Sequence, residues 1–225
     1  IRTQANNCKT RSVNGGSAEV NDVNGIELGA SDLTGTLTVT AAGNITQSGA
    51  VEVAGATSLT ATGSNITLDD SGNNFSSLAL SGVNATIKDS NALTLAASTL
   101  TGTLDITSGS DLTQSGAIDV NGATSLTATS GDITLDNSGN DFFSLALNAV
   151  NATIVDSNAL TLAASALAGT LDITSGGDLT QSGAVDVDGA TSLTVSGDIT
   201  LENAGNDFNS LSASTDNLSV RDANA

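Results

Sequence analysis

Asp111 is followed by Asp132, and Asp178 by Asp198, at nearly equal intervals. If successive turns of a coiled chain bring each pair together, their carboxylate oxygens offer a site for a hard cation. The simpler reading is that these acids cap a tight corner. It is favoured because the matching positions of an earlier copy of the same pattern are Asn44 and Asn65, which keep the shape without the charge. The Gly-Gly-x-Gly-x-Asp nonapeptide of calcium-binding β-rolls is missing. A second acidic set is Glu52, Asp119 and Asp186, evenly spaced on an outward phase. Acid pairs that cleave glycosidic bonds lie about 5–9.5 Å apart. One step from each of these acids to the next is expected to rise about 14 Å, so the three read as a solvated charge pattern.

The residues that are absent exclude more chemistry than those present suggest. The chain has no Met, Pro, His, Trp or Tyr, one Cys and four Phe. Without His there is no imidazole base, no Ser-His-Asp or Cys-His triad, and no His-ligated zinc or haem. One Cys allows no internal disulfide framework and no thiolate cluster. Beyond position 11 the only basic residues are Lys88 and Arg221. With 24 acids against five bases the net charge is −19, which argues against nucleic acid and anionic membrane as partners. No apolar run is long enough to span a membrane as a helix, and 38% hydrophobic residues in a regular pattern argue against disorder. No cofactor and no enzymatic activity are expected. The chain starts without Met or a signal peptide, so it reads as a processed product or a fragment.

Those residues are positioned by a repeat. Gly35-Thr-Leu-Thr-Val-Thr recurs from Gly102 and Gly169, and Ile45-Thr-Gln-Ser-Gly-Ala-Val recurs from Leu112 and Leu179, which defines a 67-residue unit. Asp69-Asp-Ser-Gly-Asn-Asn-Phe75 recurs from Asp136, and again from Glu202 after one residue is lost near Val195. The phase divides residues 1–225 into one continuous array, with a partial unit over 1–34, full units over 35–101 and 102–168, and a partial unit over 169–225.

Within a unit the pattern alternates with period 2, which predicts short half-buried strands. Leu37 and Val39 point one way, and Thr36, Thr38 and Thr40 the other. Leu37, Leu59, Leu78 and Leu104 form one apolar series. Ile45, Ile66, Ala85 and Leu112 form another, and Val53, Phe75, Leu95 and Val120 a third. Their shared mean spacing predicts coils of about 22 residues, three coils to the unit. The fold class is therefore all-β, a right-handed parallel β-helix of about ten coils and roughly 48 Å. Asn44, Asn65, Asn84, Asp111, Asp132, Asn151, Asp178, Asp198 and Asn217 occupy one phase, just before the second strand of a coil. They are expected to form a corner ladder, because Asn and Asp bond nearby backbone and suit tight turns. Gly35, Gly102 and Gly169 precede the first strand, and Gly55, Gly122 and Gly189 follow the third.

Other features offer further functions. The outward rows Thr36, Thr38, Thr40, then Ser58, Thr60, Thr62, then Ser77, Ala79, Ser81 resemble a flat ice-binding face. Ordinary strand propensity explains them as well, and Asp105 and Asp172 replace Thr38 in later units. Gln47, Gln114 and Gln181 fall on an inward phase and should find backbone partners or mark a bulge. Cys8 replaces Phe75 in phase and reads as a small core residue. Triplets such as Asn44-Ile-Thr46 match a glycosylation sequon but coincide with the corner ladder. Arg2, Lys9 and Arg11 concentrate positive charge in the segment that departs most from the repeat, which is expected to cap or join something.

The phrases Asn44-Ile-Thr-Gln-Ser-Gly-Ala, Gly131-Asp-Ile-Thr-Leu-Asp-Asn-Ser-Gly-Asn-Asp-Phe and Asn158-Ala-Leu-Thr-Leu resemble shaft repeats of large bacterial exoproteins of the filamentous haemagglutinin type. The resemblance runs from about Ala18 to the end. It implies a secreted β-helix on the bacterial cell surface, exported by two-partner secretion or as an autotransporter. It also implies a stalk or fibre role. A close variant is an end-to-end homopolymer, expected because both ends stop mid-unit and would expose strand edges. A glycan-binding or glycan-cleaving β-helix is the alternative from a different functional class, and an ice-binding solenoid is a third reading.

Overall fold

The computed structural model describes residues 2–6 and 10–223. Cys8 and Lys9 lie outside the described residues, as does the side chain of Arg2. The described chain holds 28 strands and no helix, and its strand pairings are parallel. Alternation decides which face is buried. In Leu37–Ala41 the side chains of Leu37, Val39 and Ala41 are buried while Thr38 and Thr40 point outward. Parallel strands that alternate in this way bury only one face, which a solenoid requires and a helix-covered sheet does not. The inward side chains join in a single core that runs without a gap from Val13 to Phe208.

The coil is tighter than the spacing of the apolar series suggests. Register partners lead from Ile26 through Ile45, Ile66, Ala85, Leu104, Thr124, Leu145 and Leu162 to Gln181. Those eight steps average about 19 residues per coil, and the described chain makes about 11 turns. At about 4.8 Å per step the rod is roughly 53 Å long. The shortening arises at the corners. Val51–Ala61 and Asn74–Gly82 are continuous strands that carry one coil into the next without a loop. Gly55 makes the first of these bends possible. Its N–H donates to Gly35 O at 2.9 Å, and a Cβ on Gly55 would lie 2.5 Å from that same oxygen. The step from Leu78 to Leu95 is shorter still than the average coil.

A 67-residue unit therefore does not close on three coils. Three register steps carry Leu37 through Thr57 and Leu78 to Leu95, which falls short of Leu104. Leu104 instead sits on Ala85, as Leu171 sits on Ala152 and Leu37 on Ala18. The first strand of each unit thus stacks on the second face of the unit below. Successive units are turned about the rod axis by one face. Of the three expected columns, Ile45–Ile66–Ala85 and Val53–Phe75 are true stacks. Leu59 pairs with Leu80 rather than Leu78, and Leu112 stacks on Leu93 rather than Ala85.

Candidate functional site

The corner residues form three short ladders instead of one long column. Asn65 N–H donates to Asn44 Oδ1 at 3.1 Å, and both N–H and Nδ2–H of Asn84 donate to Asn65 Oδ1. Thr103 ends the ladder, donating from its backbone N–H and its Oγ1–H to Asn84 Oδ1 at 2.8 and 3.1 Å. In the next unit Asp132 N–H donates to Asp111 Oδ1 at 3.0 Å, Asn151 donates twice to Asp132 Oδ1, and Thr170 donates twice to Asn151 Oδ1. The third ladder runs from Asp178 through Asp198 to Asn217, with bonds of 2.9 and 2.6 Å. The turn of each unit by one face breaks the column: the chain at Asp111 lies over Ala92, and Leu93 N–H donates to Asp111 O at 2.9 Å.

Asp111 and Asp132 are thus neighbours on successive coils, as are Asp178 and Asp198, and one oxygen of each accepts from the coil above. Among the described residues no group of three or more acidic or thiol side chains is placed to hold a metal ion.

The inward glutamines form part of a buried polar plug repeated in every unit. Gln47 Nε2–H donates to Asn73 Oδ1 at 2.8 Å, and Asn73 Nδ2–H donates back to Gln47 Oε1 at 2.9 Å. Asn73 also accepts from Val51 N–H and donates to the carbonyls of Leu68 and Lys88. The same set joins Gln114 to Asn140 and Gln181 to Asn206. Each asparagine is fully buried with its polar atoms bonded, so the plug ties together strands of neighbouring coils at low cost. The glutamines are legible in the sequence as polar residues on an inward phase, whereas their partners are not. The signal lay in the turn motif before each Phe, where Asn73, Asn140 and Asn206 follow a Gly.

Two buried carboxylates close the same corner. Asp89 accepts from Phe75 N–H at 2.6 Å and from Asn91 N–H, and Asp156 accepts from Phe142 N–H at 2.8 Å and from Asn158 N–H. Burial removes water from both groups and raises their pKa above the ordinary aspartate value, against the opposing pull of those N–H donors. The charge of Asp141 raises Asp156 further.

The outward acids do meet partners of their own sign. Glu52 is in register with Asp32, Asp119 with Asp141, and Asp186 with Asp207. The even spacing of Glu52, Asp119 and Asp186 concealed these pairs, because the second member comes from the adjacent coil about 4.8 Å away. The Thr face is short. Thr38 and Thr40 pair with Ser58 and Thr60, and these with Ala79 and Ser81. Asp105 then appears on another face, over Thr86.

A family model described as repeats of unknown function (DUF5649) matches residues 15–81, 82–146 and 149–215. The chain belongs to this family. No curated protein and no solved structure matches it. The DUF5649 matches begin at positions 15, 82 and 149, which is the period read from the sequence. Each DUF5649 match here contains one Gln–Asn plug, and the corner ladder that starts in it has its last Asn just beyond it, at Asn84, Asn151 or Asn217.

Proposed function

We propose that this chain is a non-catalytic shaft segment of a bacterial cell-surface or secreted adhesin. The observation that carries the reading is continuity. One core and one parallel ladder pass through all the units with no linker between them. The hydrogen bonds run along the rod axis, so load applied between the ends is shared by the three faces of each coil. Repeats that contact only their neighbours can be lengthened without redesign, which suits a spacer that holds something away from a surface. The secreted, surface-exposed setting rests on the resemblance of the repeat phrases to exoprotein shafts. End-to-end association of copies into filaments is part of the proposal.

Negative-stain imaging of the purified chain tests both parts. Rigid rods of about 53 Å support the shaft, and filaments with that repeat support the assembly. Dispersed single rods at high concentration would remove the assembly. Turnover of a polysaccharide in a reducing-sugar assay would overturn the non-catalytic reading.

A further inference from the structure

Phe143 breaks the repeat at the surface. It is 66% exposed, whereas the equivalent positions are Ser76 in the preceding unit and Asn209 in the following one. The core does not need it, because Phe142 beside it already fills the inward column. Phe143 lies in a shallow groove with Val120, Asn121, Asp141 and Asn158. Asp141 is in register with Asp119 on the coil below. Neither carboxylate has a hydrogen-bond or ion-pair partner among the described residues. Like charges directly opposite on neighbouring strands repel, and among the described residues no ion pair relieves them. Lys88 stands on an earlier coil in register with Thr107, and Arg221 follows the last strand.

We propose that this patch docks a basic peptide segment of a partner protein. An arginine or lysine side chain lies across the face of Phe143, with its charge between Asp119 and Asp141. The argument is charge complementarity joined to an aromatic face. A cation over an aromatic ring is attracted by the ring quadrupole, and the paired carboxylates fix where the charge sits. The net charge of −19 draws a basic segment toward the whole rod, and Phe143 marks where it settles. This docking goes beyond the shaft role, since a rod can be a shaft whether or not anything binds there.

The test uses the whole chain and a fluorescent peptide of alternating Arg and Gly, read by anisotropy at moderate salt. Phe143→Ser installs the residue that the preceding unit carries, so the fold is retained and circular dichroism checks it. Binding is expected to weaken about tenfold in Phe143→Ser and about fivefold in Asp141→Asn. Asp172→Asn removes the same charge from an exposed site elsewhere and should change binding less than about twofold. Three outcomes would overturn the proposal. One is no binding of the peptide, and another is equal binding by wild type and Phe143→Ser, which reduces the interaction to diffuse charge. The third is a change in sedimentation with Phe143→Ser, which assigns the patch to a second copy of the chain.

Discussion

Replacing Thr57, Thr124 and Thr191 by Val should stabilise the rod. Each threonine is nearly fully buried, and each Oγ1 lacks a hydrogen-bond partner among the described residues. Each sits in a leucine column, with Thr57 between Leu37 and Leu78, Thr124 between Leu104 and Leu145, and Thr191 between Leu171 and Leu211. Val has nearly the same shape and no hydroxyl to leave dry. Relief of an unsatisfied buried polar group is worth about 1 kcal/mol or somewhat more per site. The three sites lie about three coils apart and share no contacts, so their effects should add to roughly 3 kcal/mol. With a urea slope of about 3 kcal/mol per molar, the triple variant should unfold near 1 M higher urea. Thr→Ser at the same sites is the control. It keeps the hydroxyl, loses a methyl and should cost about 1 kcal/mol each. If Thr→Val lowers the midpoint while Thr→Ser leaves it unchanged, the hydroxyls are bonded and the reasoning fails.

The other expectations concern the plug, the corners, the buried acids and the turn of the units. Asn140→Ala removes the partner of Gln114 and three backbone bonds, and should cost about 3 kcal/mol. Amide hydrogen exchange should show the loss concentrated in the coils around Ile118 and Leu135, and a uniform loss would refute the plug. Gly122→Ala places a Cβ 2.6 Å from Gly102 O and should lower the thermal midpoint, whereas Gly139→Ala, with its nearest contact at 3.3 Å on a side chain, should be tolerated better. Asp89 and Asp156 have raised pKa values, so the folded chain holds their protons more tightly than the unfolded chain does. Their contribution to stability is present below the ordinary value of 3.8 and falls as pH rises through the raised one. Urea midpoints should therefore increase from pH 7 toward pH 4, and less steeply in the Asp89→Asn, Asp156→Asn double variant. With Cys8→Ser as background, Thr86→Cys with Asp105→Cys should form a disulfide readily, because the two positions are in register. A disulfide forming as readily in a separate Ala79→Cys, Asp105→Cys variant would instead support stacking without the turn of the unit.

Some of the site was legible because each of its parts repeats in sequence. Asn44, Asn65 and Asn84 share a phase, and the bonds between them follow from backbone that Asn readily serves. Gln47 stood out as a polar residue on an apolar phase, but its partner Asn73 lies more than a coil further on, in a turn motif that looked merely local. The pairs Asp119–Asp141 and Asp186–Asp207 are not legible in the sequence for a different reason. Their members belong to different phases of the unit, and only the register of two coils sets them side by side.

The sequence alone determined the 67-residue period, the inward and outward side chains, and the parallel coil that such alternation requires. It could not determine the angle through which a unit turns. A period says how often an environment recurs along the chain, and several coil counts satisfy the same period. The corners decide among them. Gly55 packed on Gly35, the loop-free bends through Val51–Ala61 and Asn74–Gly82, and the short step from Leu78 to Leu95 shorten the coil to about 19 residues. Once the coil no longer divides the unit evenly, each copy must begin one face further round. The acids that stood one period apart as a single solvated row are thereby carried to different faces, each beside an acid of the neighbouring coil.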